Sequence, residues 1–253
     1  MTRILAVANQ KGGVGKTTTS INLGACLVER GKRVLLLDID PQSNATSGLG
    51  YDRTEIGHST YDSLVGAVPL AQVIIVTKRV SLDLAPAATA LAGAEVELVN
   101  LTRREHRLTQ ALAPIRDRYD YILVDCPPSL GLLTLNSLVA ADGVLVPIQC
   151  EYLALEGLSR LVDTLRLVRD SLNPRLRLAG ILMTMFDPRT NLSAQVVQDV
   201  AKHFPREIYR TVIPRSIRLS EAPSYGQTIL EYDPASRGAL AYRALAEEVI
   251  LRG

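Results

Sequence analysis

The residues of this chain best suited to chemistry lie near its start, in the glycine-rich run 9–19, NQKGGVGKTTT. Its three glycines let the backbone curl, so that successive N–H groups point inward and can hold a phosphate. The ammonium of Lys16 can reach the β and γ phosphates of a nucleotide, and the hydroxyl of Thr17 can bind Mg²⁺. The run therefore predicts a nucleotide site. Its expected contacts are Lys11, Gly12, Gly13, Val14, Gly15, Lys16, Thr17 and Thr18.

Two regular elements must position this run. The apolar segment 3–8 (RILAVA) predicts a buried strand, and residues 17–30 carry apolar side chains at the spacing of a helix packed on a sheet. The first turn of that helix adds its unpaired N–H groups and the positive end of its dipole to the phosphate site. The alternative, a glycine-rich turn with a solvated lysine, is disfavoured by the strand and helix on either side.

The loop departs from the common phosphate-loop pattern G-x-x-x-x-G-K-[ST], because Gln10 stands where the first glycine belongs. It has instead a second lysine, Lys11, ahead of Lys16. We do not expect two lysines on one tight loop to grip the same phosphate oxygens from the same side. On this reasoning, one of the two serves another subunit, as fingers supplied in trans do in other phosphoryl-transfer sites.

Carboxylates follow two predicted strands. Residues 33–38 (RVLLLD) end in Asp38, with Asp40 shortly after, and residues 119–125 (YDYILVD) end in Asp125. Ligands of open α/β sheets bind at the carboxyl ends of the strands, so these side chains are expected beside the phosphate loop. We assign Asp40 to orienting the attacking water, Asp125 to holding Mg²⁺ through a water, and Asp38 to the outer shell of the metal.

Strand-like and helix-like segments alternate through the rest of the chain. This predicts an α/β fold in one domain, residues 1–253, with a mostly parallel twisted sheet flanked by helices on both faces. Further strands are expected at 81–85, 143–149, 176–186 and 207–213. Helices are expected at 61–66, 70–76, 88–100, 103–115, 153–172, 192–204 and 236–251. The polar segment 43–57 indicates a mobile loop that could respond to the γ phosphate, and 214–223 a long polar connection.

Composition narrows the class of protein. At 253 residues and 47% hydrophobic content, the chain can bury a large α/β core. The sequence shows no signal peptide and no apolar run long enough to span a bilayer, and its three cysteines lack C-x-x-C spacing, which indicates a reduced, cytoplasmic protein. A net charge of +2 is too small to argue for nucleic-acid binding, which must depend on where the arginines lie.

The segment KGGVGKT, with its early lysine, resembles the deviant Walker A motif of the ParA/MinD family of P-loop ATPases. Blocks 9–19, 38–47, 123–131 and 211–223 have the order and spacing of chromosome-partitioning ParA proteins of the Soj type, and the resemblance covers essentially the whole chain. It implies an ATPase that uses ATP and Mg²⁺. It also implies that Lys11 is the signature lysine, which enters the partner's nucleotide site in a dimer that encloses two ATP molecules.

The resemblance assigns roles within the site. The implied catalytic residues are Lys11, Lys16 and Asp40. The implied metal-site residues are Thr17, Asp38 and Asp125. Pro214 and Arg215 are the implied neighbours of the adenine base. The implied dimer interface contains Lys11, Gly12 and Glu151.

The resemblance further implies a switch. The ATP-bound homodimer is expected to bind double-stranded DNA without sequence preference through Arg189 and Arg218, and to release it on hydrolysis. A ParB-like centromere-binding protein is the implied partner that stimulates hydrolysis. The protein would then be cytoplasmic and associated with the nucleoid, and no membrane binding is expected.

Three other functions stay open at this point. A membrane-cycling MinD-like ATPase would need a C-terminal amphipathic helix with basic flanks, whereas segment 240–253 carries two acids and few bases. An electron-transfer ATPase of the nitrogenase iron-protein type would hold an iron–sulfur cluster on cysteines, whereas Cys26 and Cys126 fall in predicted core elements. A metabolic P-loop ligase would use ATP on a small molecule, and no further acid–base constellation argues for one.

Overall fold

The computed structural model describes residues 2–151 and 154–252, whose strands form one eight-stranded sheet. The strands are β1 (Arg3–Val7), β2 (Val34–Asp38), β3 (Ile75–Val76), β4 (Leu82–Ala85), β5 (Tyr121–Asp125), β6 (Gly143–Gln149), β7 (Arg177–Phe186) and β8 (Ile208–Pro214). The α-helices are α1 (Lys16–Glu29), α2 (Asn44–Gly48), α3 (Thr60–Val65), α4 (Leu70–Val73), α5 (Leu91–Leu98), α6 (Arg107–Leu112), α7 (Leu132–Ala140), α8 (Ala154–Ser171), α9 (Asn191–His203), α10 (Ile217–Glu221), α11 (Ile229–Tyr232) and α12 (Arg237–Leu251). Within these ranges, no helix combines the length and apolar character needed to cross a bilayer.

The sheet has the order β3–β4–β2–β5–β1–β6–β7–β8, and all neighbouring pairs are parallel except β3 with β4. The central strands β2 and β5 are apolar runs in which every residue is buried, as expected of a parallel sheet covered on both faces. The predicted fold class is therefore confirmed. Because β5 lies between β1 and β2, the carboxyl ends of these three strands meet at one edge of the sheet.

Side chains of β1 and the residue after it show how the two faces are filled. Ile4, Ala6 and Ala8 point into a core that is closed by helices α3 to α9. Leu5 and Val7 point into a second core, which is closed by α1, α2, α10, α11 and α12. The alternation follows from the period of two in a strand. It leaves the phosphate loop at the carboxyl edge, between the two helical layers.

The prediction of a mobile loop at 43–57 is wrong for residues 44–48, because they form helix α2. Ala45 and Thr46 on this helix are fully buried, and the backbone N–H of Thr46 donates to a carboxylate oxygen of Asp38 over 2.8 Å. The local sequence NATSG is poor in helix formers, so contacts with the rest of the fold, and not intrinsic propensity, stabilise this helix.

Several other boundaries differ from the expected ones. The expected helix at 70–76 ends at Val73, and Ile75–Val76 pairs antiparallel with β4. The expected helix at 88–100 is shorter, and the one at 103–115 is divided into a 3₁₀ turn, Arg104–His106, and α6. Helices α7, α10 and α11 have no counterpart among the expected elements. The expected start of the long helix at Leu153 lies outside the described residues.

The segments that follow β2 and β8 touch through two glycines. Gly50 (φ 89°) and Gly226 (φ 62°) both have left-handed backbone, and a Cβ on Gly226 would lie 2.6 Å from the Cα of Gly50. Arg79 holds the same junction, because its guanidinium donates to the carbonyl oxygens of Leu49 over 3.1 Å and Gly226 over 2.6 Å. An ion pair with Glu231 over 2.8 Å completes its contacts. The junction therefore accepts no side chain at Gly226 without movement of the backbone.

We predict that Gly226→Ala lowers the free energy of unfolding by about 2–4 kcal/mol, because left-handed strain adds to overlap with Gly50. The matched control is Gly31→Ala. Gly31 also has left-handed backbone (φ 74°), but a Cβ there would meet nothing within 4 Å, so the loss should be only about 1–2 kcal/mol. Denaturant unfolding measures both values. Equal losses in the two variants would contradict the close contact.

Candidate nucleotide and metal site

The phosphate loop connects β1 to α1. Gly13 (φ 75°) and Gly15 (φ 89°) have left-handed backbone, which explains why two of its glycines are needed. Gly15 is the N-cap of α1, and no side chain caps this helix. Its first N–H groups and the positive end of its dipole therefore face the loop as an anion site.

Neighbouring strands hold the loop in place. The side-chain amide of Asn9 donates to the carbonyl oxygen of Pro147 in β6 over 2.7 Å, and its Oδ1 accepts from the N–H of Lys11 over 3.0 Å. From β7, the hydroxyl of Thr184 donates to the carbonyl oxygen of Val14 over 2.8 Å. Sequence reasoning missed the supporting role of Thr184. The only sign of this role in the sequence is a polar residue, Thr184, near the carboxyl end of an apolar strand.

Lys16 is buried beneath the loop, and its ammonium donates to the carbonyl oxygen of Lys11 over 3.0 Å. Burial lowers the pKa of Lys16, and the nearby carboxylates of Asp125 and Asp40 oppose that shift. The ammonium therefore lies in a dry environment where a phosphate would be strongly attracted.

Asp125 joins the end of β5 to the first turn of α1. Its Oδ2 accepts from the hydroxyl of Thr17 over 2.7 Å, and its Oδ1 accepts from the hydroxyl of Ser20 over 2.9 Å. Burial raises the pKa of Asp125 to about 8, and the charge of the neighbouring Asp38 acts in the same direction. Ser20 was not among the expected site residues, although its position three residues after Thr17 places it on the same helix face.

Thr17 and Asp125 form a donor set that fits Mg²⁺. A hydroxyl and a carboxylate are the hard oxygen ligands that this ion prefers, and they lie within 2.7 Å of each other beside the anion site. No group of three or more His, Cys, Asp or Glu side chains in the described part of the chain could hold a metal alone. Mg²⁺ that is bound together with a nucleotide needs only one or two protein ligands, since phosphate and water complete its shell.

Asp38 makes contacts that were not expected. Both of its oxygens are engaged, one with the N–H of Asp40 over 3.1 Å and the other with the N–H and hydroxyl of Thr46 over 2.8 and 2.7 Å. Burial raises the pKa of Asp38 to about 6, although these hydrogen bonds oppose the shift. The structure thus shows Asp38 connecting β2 to α2, next to Asp125 on β5. Its role near the metal stays a prediction.

Asp40 faces the phosphate loop. It lines a cavity of about 290 Å³ together with Gly12, Lys16 and Thr17, and its Oδ1 accepts from the N–H of Gln42 over 2.9 Å. This hydrogen bond fixes the carboxylate at the rim of the cavity. The geometry is compatible with the expected role of orienting a water, which stays a prediction.

A second cavity, of about 280 Å³, adjoins the first. Pro214 and Arg215 line it, and their assignment to the adenine base stays a prediction; Gly15, Thr18 and Met185 line both cavities. Met185 has left-handed backbone (φ 52°), which is uncommon for a residue with a long side chain. It lies where β7 loses its regular pairing with β8. The two cavities together provide room for the phosphates and base of one nucleotide, and Met185 was missed by sequence reasoning.

Lys11 and Gly12 lie on the outer rim of the loop. The side chain of Lys11 is 53% exposed and forms an ion pair with Glu151 of the same chain. Gly12 is exposed, and a Cβ there would meet nothing within 4 Å. The three residues assigned to a dimer interface therefore lie together at the surface, but the single chain does not test that assignment.

Arg189 and Arg218 follow the carboxyl ends of the neighbouring strands β7 and β8, so they lie at the same edge of the sheet. Arg189 is exposed and binds Asp187 through two hydrogen bonds of 2.9 and 2.6 Å. These bonds lower the pKa of Asp187 to about 2. Arg218 pairs with Glu221 over 3.1 Å. Both expected DNA contacts thus have acidic neighbours, a feature that the sequence analysis did not include.

We predict that Lys16→Ala weakens ATP binding by about 30- to 150-fold, because about 2–3 kcal/mol of charge-assisted hydrogen bonding to the phosphates is lost. Lys202→Ala is the matched control, since Lys202 is an exposed lysine paired with Asp199 on α9. Isothermal titration calorimetry gives both dissociation constants, and circular dichroism checks the fold. Unchanged affinity in Lys16→Ala would exclude this loop as the phosphate site.

Several named proteins resemble the chain over its whole length. Residues 2–178 match the family model described as an AAA domain. The chain is 56% identical over 253 residues to the sporulation initiation inhibitor protein Soj of Bacillus subtilis, covering all of both chains. It is 52% identical over 250 residues to the chromosome partitioning protein ParA of Myxococcus xanthus, covering 99% of this chain and 88% of that protein.

A solved structure supports the same fold. Cobyrinic acid a,c-diamide synthase of Mycobacterium smegmatis, with bound ADP and magnesium, superposes with a TM-score of 0.87 and is 42% identical, covering 99% of this chain and 94% of that one. The full-length identity to Soj and ParA is higher, and it accompanies a phosphate loop with two lysines. The chain therefore belongs to the ParA and Soj family of chromosome-partitioning P-loop ATPases.

Proposed function

We propose that this chain is an ATP-dependent switch that dimerises around nucleotide, binds DNA without sequence preference and releases it on hydrolysis. One observation carries the proposal. The phosphate loop holds Lys16 inside the nucleotide site and presents a second lysine, Lys11, with the bare backbone of Gly12, on its exposed rim. The side chain of Lys11 pairs with Glu151 and with no residue of its own nucleotide site, among the described residues, so it is available to a second protomer. The identity to Soj and ParA supports this inference.

In the proposed dimer, two protomers face each other through the carboxyl edges of their sheets. Lys11 leaves Glu151 of its own chain and reaches the phosphates held by the partner. The open space at Gly12 permits the close approach of a second loop. Each lysine then adds positive charge where negative charge develops in the transition state, which is the role of fingers supplied in trans.

Within one protomer, we assign each residue of the site a separate role in hydrolysis. ATP and Mg²⁺ are the proposed cofactors, and the solved relative with ADP and magnesium supports them. Thr17 and Asp125 would hold the metal, which would supply positive charge beside the phosphates when it is bound. Lys16 neutralises the phosphates from inside the loop. Asp40, fixed at the cavity rim by the N–H of Gln42, orients the attacking water.

DNA binding follows from the number of cations on one face. Dimerisation doubles the phosphates that Arg189 and Arg218 can neutralise, and affinity rises steeply with that number because counterions are released. These arginines need make no base contact, so binding is independent of sequence. A DNA phosphate has to compete with Asp187 for the guanidinium of Arg189, so each such contact contributes less binding free energy. We propose a ParB-like centromere-binding protein as the partner that stimulates hydrolysis.

The iron–sulfur alternative is disfavoured by the cysteines. Cys26, Cys126 and Cys150 are all buried, and burial raises the pKa of their thiols to about 12, 12 and 11. A cluster shared between subunits needs thiolates at the surface. The MinD-like and small-molecule ligase alternatives are outcomes of the experiment below.

Retention of the purified protein on random-sequence duplex DNA, measured in parallel with retention on anionic vesicles, tests the proposal. We expect retention on DNA with ATP, little with ADP or without nucleotide, and a steep fall with salt because phosphate contacts release counterions. Binding to vesicles alone would support the MinD-like alternative. Binding to neither would contradict the proposal and favour an ATPase that acts on a small molecule.

Three variants sharpen this measurement. Arg189→Glu should dimerise with ATP but lose DNA binding. The slope of the logarithm of its DNA affinity against the logarithm of salt concentration should become shallower by the amount expected for about two lost phosphate contacts per dimer. Asp187→Asn removes the competing carboxylate and should strengthen retention. Arg166→Glu is the matched control, because Arg166 is an exposed arginine with an acidic neighbour on α8, Asp163. Equal retention of Arg189→Glu and the wild type at low salt would place the DNA contacts elsewhere.

We predict that Asp40→Ala binds ATP within about threefold of the wild type but hydrolyses it at least about tenfold more slowly, because the attacking water loses its orienting carboxylate. The dimer should then persist with ATP. Asp52→Ala is the control, since Asp52 is an exposed aspartate whose side chain bonds only its neighbour Thr54. Single-turnover hydrolysis and size-exclusion chromatography measure the two effects. Normal turnover in Asp40→Ala would remove this residue from the mechanism.

A further inference from the structure

A cavity of about 620 Å³ lies at the edge of the sheet opposite the nucleotide site, where the central strands begin. It is larger than either cavity beside the phosphate loop. None of its residues has a role in nucleotide binding or in the proposed DNA contacts. Its lining contains the cationic side chains of Arg3, Lys32, Arg116, Arg175 and Arg177.

The two carboxylates of the lining are already engaged. Asp142 accepts from the N–H of Ile4 over 2.8 Å, and both of its oxygens accept from the guanidinium of Arg116 over 2.9 Å. Asp120 accepts from the backbone N–H and the guanidinium of Arg33, which lies outside the lining. The charge of Lys32 also helps to lower the pKa of Asp120, but these two side chains form no ion pair in the described part of the chain.

The remaining cations of the lining form no ion pair with a carboxylate of the described residues. In the described residues, the side chains of Lys32, Arg175 and Arg177 form neither an ion pair nor a hydrogen bond with the protein. Within residues 2–151 and 154–252, the side chain of Arg3 donates only to the carbonyl oxygen of Val249, over 2.9 Å. Five cations and two carboxylates leave a formal charge of +3 around one concave site.

The negative ends of nearby helix dipoles offset only part of this positive charge. Helices α1, α7 and α8 end at the same edge of the sheet, and cations near helix C-termini are stabilised by the dipole. Each terminus corresponds to about −0.5 of an elementary charge, so three of them offset about half of the +3. The cavity therefore keeps a surplus of positive charge.

We propose that this cavity binds a small oligophosphate at a site separate from the nucleotide site. Guanidinium groups pair with phosphate oxygens through two parallel hydrogen bonds, and four cations without acidic partners match the charges of a short phosphate chain. The volume is that of a small-molecule site, so a compact anion is the occupant that fits it. The same phosphate chemistry could come from a free oligophosphate or from the end of a nucleic acid, and the experiment separates the two.

The probe is tripolyphosphate, titrated into ¹⁵N-labelled protein that is saturated with ADP in the absence of Mg²⁺. ADP occupies the phosphate loop, and the absence of Mg²⁺ prevents chelation by the probe. We expect saturable shifts of amide resonances at the amino edge, including those of Arg3, Asp142 and Arg177, with salt-sensitive affinity. Arg175→Ala/Arg177→Ala should weaken binding by about tenfold or more. Arg166→Ala/Arg169→Ala, on the exposed surface of α8, should leave it unchanged.

Three results would overturn the proposal. These are the absence of saturable shifts at the amino edge in the wild type, equal weakening in the two double variants, and shifts confined to the phosphate loop. Lys32→Glu provides a second variant on a different element and should also weaken binding. ATP-dependent retention on DNA is measured for the same variants. Loss of DNA retention without any tripolyphosphate binding would assign these arginines to nucleic acid and contradict a small-anion site.

Discussion

The buried carboxylate of Asp125 is the group on which the rest of the site depends. Its hydrogen bonds to Thr17 and Ser20 fasten the end of β5 to the first turn of α1, and so determine where the phosphate loop lies. Burial beside Asp38 makes ionisation of this carboxylate costly, which its raised pKa records. A divalent cation, which we propose binds here with nucleotide, would offset that cost. The order of the strands brings β2 and β5 together, so in this proposal the architecture of the sheet sets the metal affinity.

The main features of the fold and site could be predicted because they depend on local signals. Continuous apolar runs such as YILVD are typical of buried parallel strands, and the carboxylates that end them must lie at the carboxyl edge. Glycines 13 and 15 are needed for left-handed backbone that other residues rarely adopt. These constraints involve few residues each, so one sequence is enough to recognise them.

The features that were missed depend on contacts between distant segments. The five residues of α2 have weak helical preference, and contacts with other segments stabilise the helix, among them the bonds from Thr46 to Asp38 and the burial of Ala45. Thr184 belongs to an apolar strand, and its contact with Val14 depends on the neighbouring strand order. The pair of Arg189 with Asp187 is an exception, because the two residues are only two positions apart, but residue types alone do not reveal its bidentate geometry.

The contact between Gly50 and Gly226 has a consequence for how such chains can be recombined. The two residues lie far apart in the sequence, yet the backbone of one occupies the space that a side chain on the other would need. A chimera that takes one segment from this chain and the other from a relative keeps a compact junction only when both parents have glycine at these positions. Glu231, the ion-pair partner of Arg79, must also come from the same parent as Arg79. Crossover points between residues 50 and 226 therefore carry a compatibility condition that neither parent reveals alone.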